Sequence, residues 1–312
     1  MAPVSVTVRV PAGVTVRVPA KVNLHLGVGP LRPDGKHQLH TVYQAVSLYD
    51  EVVLEPTTDG SLTVSMVGEH VEGVPDGDDN LAVQAVRAVA ALAGVEPAVH
   101  VTLRKGIPVG GGLAGGSADA AAALVAADAL WHCDLDRSAL EGLAAGLGSD
   151  VAFLLHGGTA LGTGHGEIVS PVLSRGDWHW VLAVADTGLS TPAVYAELDR
   201  QRGADATAAA SVADGVLAAL RSGDVVALGH ALRNDLQPPA LHLRPNLARV
   251  LAAGQELGAV GGVVSGSGPT VALLAASAGE SIRIASALAG YDVCRTVRRA
   301  SGPVAGARIV AA

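Results

Sequence analysis

A chain of 312 residues, 49% of them apolar, is long enough to bury a core in each of two domains. Its formal charge of -8, with no run of Lys and Arg, argues against nucleic acid as a partner, because phosphate backbones need clustered cations. The two cysteines, Cys133 and Cys294, stand far apart in no CxxC pairing, so the sequence suggests neither a disulfide framework nor a zinc site and fits a reducing, cytoplasmic setting.

The N-terminus lacks the unbroken apolar stretch of a signal peptide, and no later run reaches the roughly 18 apolar residues of a membrane span, so no membrane partner is expected. The chain opens on a repetition. Val6 to Ala12 recurs as Val14 to Ala20, the first copy followed by Gly13 and the second by Lys21. From Val14 to Leu26 strict alternation predicts a half-buried strand, with the valines on one face and Lys21, Asn23 and His25 on the other. Pro19 predicts an edge position or a bulge there. A turn, "GPLRPDGKH", is followed by strand-like runs at Val42 to Leu54 and Ser61 to Val67. Helical spacing covers Asn80 to Ala93, alternation returns at Val99 to Arg104, and Ser117 to Trp131 reads as a long helix. After "HGGTALGTGHGE" a fresh start at Trp178 predicts a strand. Helices follow near Pro192 to Arg200, Ala206 to Arg221 and Asn246 to Leu257, then a Gly/Ser turn at 261 to 268, a strand at Thr270 to Leu274, and a final helix and strand. The lack of a βαβα rhythm predicts an α+β fold with mixed sheet and helices in each of two domains, 1–172 and 173–312.

The most informative stretch is "IPVGGGLAGGSADAAAALVAADAL", residues 107 to 130. Five glycines within Gly110 to Gly116 open directly into a helix, so backbone N–H groups and the helix N-terminus can converge on an anion. The plainer reading is a flexible loop before a core helix with Ser117 as its N-cap. Walker A fails because Gly116 stands where lysine belongs, and a dinucleotide fold lacks its acidic residue, since "WHCDLDRSALEGLAAG" reads as helix. Phosphoryl transfer needs a cation near the transferred group, and the loop supplies none.

"PAKVNLHL", "PVGGGLAGGSADAAAAL" and "GVVSGSGPTVALL" resemble, in order and spacing, the three motifs of the superfamily of galactokinase, homoserine kinase, mevalonate kinase and phosphomevalonate kinase. "PAKVN", "DGKHQLHTVYQAVSLYDEV", "DDNLA" and "GLGSDVAF" resemble, within it, the 4-diphosphocytidyl-2-C-methyl-D-erythritol kinase family. The resemblance implies that Lys21 and Asp150 form the catalytic pair, Asp150 taking the proton of the substrate hydroxyl and Lys21 offsetting charge on the phosphoryl group. Without it, Ser149 and Asp150 read as the cap of a helix starting at Val151. One departure is Ala152, where the family has proline. The resemblance further implies ATP as donor, contacted by Pro108, Val109, Gly110, Gly111, Gly112, Leu113, Ala114, Gly115, Gly116 and Ser117, with Asn80 and Lys105 near the adenine. It implies Mg²⁺ held largely by phosphate oxygens and water, with no protein metal cluster. Asn23 lies two residues on along the Lys21 face, so it can reach the same reacting hydroxyl or Asp150. His37 and Tyr195 match the family's contacts to the base of a cytidine diphosphate sugar alcohol, whereas Lys36 stands where the family has tyrosine. A monomer or weak homodimer is expected. The rival expectations are a homoserine- or mevalonate-type kinase, and a catalytically silent sugar or nucleotide sensor on the same fold.

Overall fold

The computed structural model describes residues 13–68, 71, 73–203 and 210–311. β1 (Val14–Leu31) and β2 (His37–Pro56) form a long antiparallel hairpin. Next come β3 (Thr63–Gly68), α1 (Leu81–Ala93), β4 (Val99–Lys105), α2 (Gly115–Trp131), α3 (Arg137–Leu147), α4 (Ser149–His156) and the hairpin β5 (Thr159–Thr163) and β6 (Ile168–Pro171). The second half holds β7 (Trp178–Val184), α5 (Thr191–Arg202), α6 (Asp214–Ser222), α7 (Val225–Ala231), β8 (Arg233–Asn234), α8 (Gln237–Leu243), α9 (Asn246–Glu256), β9 (Gly261–Val264), β10 (Val271–Ala275), α10 (Ala278–Leu288), β11 (Thr296–Gly302) and β12 (Arg308–Ala311). An eight-stranded sheet runs β12-β1-β2-β4-β3, with β5 and β8 joining at β2 and β1 and β6 beyond β5; a four-stranded sheet runs β11-β7-β10-β9. Two strands of the large sheet, β8 and β12, therefore come from the second half of the chain. Among the described residues no helix is long and apolar enough to cross a membrane.

Local chemistry explains the main elements. Asn80 caps α1 by accepting from the Ala82 amide at 2.9 Å, and Gly94 ends it at φ 67°, where a Cβ would be strained. α2 is apolar all round, with Ala118 and Ala120 to Ala123 fully buried, so it sits as a central helix against β1, β2, α1 and α4. The run "WHWVLAV" of β7 is buried on both faces: Trp178, Trp180 and Leu182 enter a first core with α1, α2 and α4, and Val181 and Ala183 enter a second with α5, α8, α9 and α10. β1 passes from one core to the other. Val14 to Leu24 pack in the first, and Leu26 and Val28 in the second. Lys21, Asn23 and His25 thereby stand at the junction.

The strand expected from Val14 is present, and several other details correct the sequence reading. The second repeat copy forms the start of β1, paired with β2 from Val14↔Leu54, while Val6 to Ala12 lie outside the described residues. β1 is not half-buried: from Val18 to Gly29 both faces are covered. The loop before α2 and the segment at Ser211 close over the polar face, with the Lys21 amide bonding the Leu113 carbonyl at 3.2 Å and His25 Nε2 reaching the Ser211 carbonyl at 2.9 Å. Of the two positions expected for Pro19, the bulge is the one found: the β1–β2 register shifts between Pro19 and Ala20. Ser117 is not the cap of α2, which begins at Gly115 behind Ala114 at φ 63° with no side-chain cap. Gly261 to Val264 form β9 instead of a turn, because β10 pairs along them. Of the helix expected at Ala206 to Arg221, 206–209 lie outside the described residues and the helix begins at Asp214.

Candidate active site

A cleft of about 820 Å³ opens at the junction of the two cores. Its floor is Lys21, 3% exposed on β1. The Lys21 ammonium donates to Asn23 Oδ1 at 2.7 Å and to the Gly112 carbonyl at 3.1 Å, and lies 3.5 Å from Asp150 Oδ2. Asn23 is fixed in turn by donating to Thr41 Oγ1 at 2.9 Å, and Thr41 donates to the His25 carbonyl at 2.7 Å. Asp150 stands in the first turn of α4, whose N-cap is Gly148 with no side-chain cap. Neither Ser149 nor Asp150 is the cap, so the plainer reading of that pair fails. Asp150 is left facing the cleft, its side chain 27% exposed.

The glycine loop forms one wall. Gly110 and Gly112 have φ of 65° and 76°, and a Cβ on Gly112 would fall 2.2 Å from the Ser265 carbonyl. Ser265 Oγ donates to the Gly112 carbonyl at 3.0 Å and the Thr270 amide to the Gly111 carbonyl at 3.1 Å, so the loop of the third motif braces that of the second. The first amides of α2, at Gly115, Gly116 and Ser117, have no partner within the helix, and no acidic side chain occupies that turn. These donors and the helix dipole suit a phosphate group.

The opposite wall carries His37 and Tyr195. Their rings stack, centroids 5.2 Å apart at 24°, which is direct contact with no space for a third ring between them. His37 Nδ1 donates to the Gly29 carbonyl at 2.9 Å, and Nε2 lies 3.4 Å from Asp199. Lys36 is exposed on the rim. Burial first, and the charge of Asp150 second, hold the phenols of Tyr43 and Tyr195 above the usual tyrosine range, so both stay neutral donors.

The structure thus brings Lys21, Asn23, Asp150, His37, Tyr195, Gly110, Gly111, Gly112, Ala114, Gly115, Gly116 and Ser117 around one cleft. Five others stand behind the loop or beside it. Leu113 is fully buried, Pro108 and Val109 line a separate recess of about 220 Å³, and Asn80 spends its side chain on the Ala82 amide and the Pro75 carbonyl. Lys105 is buried between Asp50 and Asp119. Tyr43, His165, Thr191 and Ser267 line the cleft without having been singled out in the sequence. The signal for His165 was present in "GTGHGE", a glycine-flanked His on a hairpin, where it bonds Ser149 Oγ at 2.9 Å beside Asp150.

Residues 80–158 match the GHMP kinases N terminal domain and residues 216–292 match GHMP kinases C terminal. A 4-diphosphocytidyl-2-C-methyl-D-erythritol kinase of Salinispora arenicola is 58% identical over 290 residues, 92% of this chain and 91% of that protein. The chain belongs to the 4-diphosphocytidyl-2-C-methyl-D-erythritol kinase family. It is therefore a small-molecule kinase. A second member of the 4-diphosphocytidyl-2-C-methyl-D-erythritol kinase family, from Mycolicibacterium smegmatis, is 55% identical over 99% of this chain and 93% of its own. The crystal structure of a 4-(cytidine 5'-diphospho)-2C-methyl-D-erythritol kinase, 32% identical, matches with a TM-score of 0.75 over 92% of this chain and 98% of that one. Homoserine kinase from Cytophaga hutchinsonii, at 19% identity and a TM-score of 0.73, shares the fold.

Proposed function

We infer that the cleft carries out ATP-dependent phosphorylation of the 2-hydroxyl of 4-diphosphocytidyl-2-C-methyl-D-erythritol, a step of non-mevalonate isoprenoid precursor synthesis. The observation that carries this reading is the ion pair of Lys21 and Asp150 at the foot of the glycine loop, facing a stacked His–Tyr pair across one cleft. The substrate alcohol approaches Asp150, which takes its proton as the oxygen attacks the γ-phosphorus. The bond from that phosphorus to the β–γ bridging oxygen breaks, and ADP leaves. Lys21 offsets the charge on the transferred group, and Asn23 orients the hydroxyl. The amides of Gly115 to Ser117 hold the donor's phosphates. Mg²⁺ would be held largely by the donor's phosphate oxygens and water, with Ser117, which lines the cleft at the start of α2, as the protein group beside it. Bound there, the ion neutralises phosphate charge.

The cytosine stacks on the outer face of the His37–Tyr195 pair, since the pair is closed against insertion, and Lys36 meets the diphosphate as a point charge. Asn80 and Pro108 to Val109 act from behind the loop. All these groups belong to one chain, which supports a site complete in a monomer or weak homodimer. The interval between β6 and β7 supports a domain boundary near residue 172.

CMP should compete with the alcohol substrate and leave the KM for ATP unchanged, because the pyrimidine wall is separate from the glycine loop. Competition with ATP alone, or none, would remove His37 and Tyr195 from base recognition and favour a homoserine- or mevalonate-type kinase.

A further inference from the structure

Directly beneath the glycine loop lies a cluster of charge that the reaction does not use. Lys105 ends β4, Asp50 lies on β2 and Asp119 lies on α2; their side chains are 1%, 0% and 2% exposed. The Lys105 ammonium bonds Asp50, Asp119 Oδ2 at 2.5 Å and the Gly115 carbonyl at 3.4 Å. An ammonium has three N–H donors, and three acceptors already surround this one. No donor is left for a nucleotide. Asp50 also receives the Gly106 and Ile107 amides at 2.6 and 2.8 Å, tying the chain between β4 and the loop to β2. Asp119 Oδ1 is buried without a hydrogen-bond partner, and burial, with Asp50 close by, pushes this carboxyl up to about 8 against the pull of Lys105, the cation that pairs with it among the described residues. α2 meanwhile starts without a side-chain cap, and its first turn is the part that offers free amides to the cleft.

We propose that Lys105, Asp50 and Asp119 are positioning residues that clamp the first turns of α2 against β2 and β4, setting the amides of Gly115 to Ser117 where they meet phosphate. Lys105 acts on the nucleotide through the loop and not by touching it. This rests on the reading of the loop as the phosphate cradle. A buried lone charge is costly, whereas a neutralised cluster of the same volume is often tolerated, so clamp and direct contact give opposite results when all three charges are removed together.

The test is calorimetric binding of ADP, with a thermal melt of each variant. Lys105→Met, which strands the buried Asp50–Asp119 pair without its cation, should weaken binding about 100-fold, and Asp119→Asn, which keeps the shape but loosens the clamp, about tenfold. Lys105→Met combined with Asp50→Asn and Asp119→Leu should recover to within about fivefold of the unaltered enzyme, with the KM for the alcohol unchanged throughout. If the triple variant binds as weakly as Lys105→Met, Lys105 touches the nucleotide and the clamp is overturned. Should the triple variant fail to fold, Asp119→Asn decides: unchanged or tighter binding overturns the proposal, because freeing a nucleotide-binding lysine would not weaken it. Gly116→Val is the separate control for the cradle itself. Among the described residues its Cβ meets only Leu81, at 3.7 Å, so the variant is expected to fold, as its melt will check; if it keeps its ADP affinity, the cradle reading fails whatever the clamp variants show.

Discussion

Lys21→Met is expected to lower kcat by about a thousandfold or more, some 4 kcal/mol of barrier, in a protein that still folds. Methionine matches the length of lysine and suits a site 3% exposed, so the packing between the two cores survives. What disappears is a cation that joins three elements: Asn23 on its own strand, Gly112 of the loop and Asp150 of α4. Asn23 Oδ1 is left without its donor, while the Gly112 carbonyl keeps Ser265 Oγ, so the change costs about 1–3 kcal/mol of stability in addition. Arginine does not substitute. The ammonium sits so close to Gly266 that even a Cβ there would be 3.1 Å away, and a guanidinium is larger. Steady-state ADP release with a parallel melting curve separates the two effects. A folded methionine variant that retains more than a tenth of normal kcat would show that the cation is not part of the chemistry.

Asp150→Asn should produce a comparable loss of kcat, again about a thousandfold, while nucleotide affinity stays within about threefold. The change is isosteric. Its amide oxygen still faces Lys21, and α4 does not depend on the side chain as a cap, so the helix remains in place. What is removed is the negative charge that pairs with Lys21 and, with it, the capacity to accept a proton. Calorimetric ADP binding beside single-turnover phosphorylation separates binding from chemistry. Turnover within tenfold of normal, about 1.4 kcal/mol, would mean that the hydroxyl loses its proton elsewhere, and the pairing with Lys21 would then serve structure alone.

Much of this arrangement was legible because its signals are local. Asn80 and Gly94 bracket α1 with side-chain and left-handed caps that short-range sequence encodes, and the glycines at 110 and 112 announce a backbone that L side chains resist. The repeat copy followed by Lys21 marked the strand that carries the cation. What escaped the sequence depends on distant partners. The resemblance put Lys105 near the adenine, and nothing in the local sequence hinted that Asp50, 55 residues earlier, would turn inward to meet it. Gly261 to Val264 read as a turn because glycine weakens a strand, yet pairing with β10 outweighs that preference. The polar face of β1 read as solvated, although loops from residues 113 and 211 cover it. His165 is brought beside Ser149 only when the β5–β6 hairpin folds back over the start of α4.

Among the alcohols this fold is known to accommodate in related kinases, the cleft is expected to select one by its base. The decisive measurement is therefore ATP turnover against a panel: 4-diphosphocytidyl-2-C-methyl-D-erythritol, homoserine and mevalonate at equal concentration, with the phosphorylated product identified by phosphorus resonance. Preference for the cytidine diphosphate compound by at least about a hundredfold in kcat/KM, with a new phosphomonoester at its 2-hydroxyl, is the expected result. Equal or greater turnover of homoserine or mevalonate, or no ADP release with any of the three, would contradict the assignment.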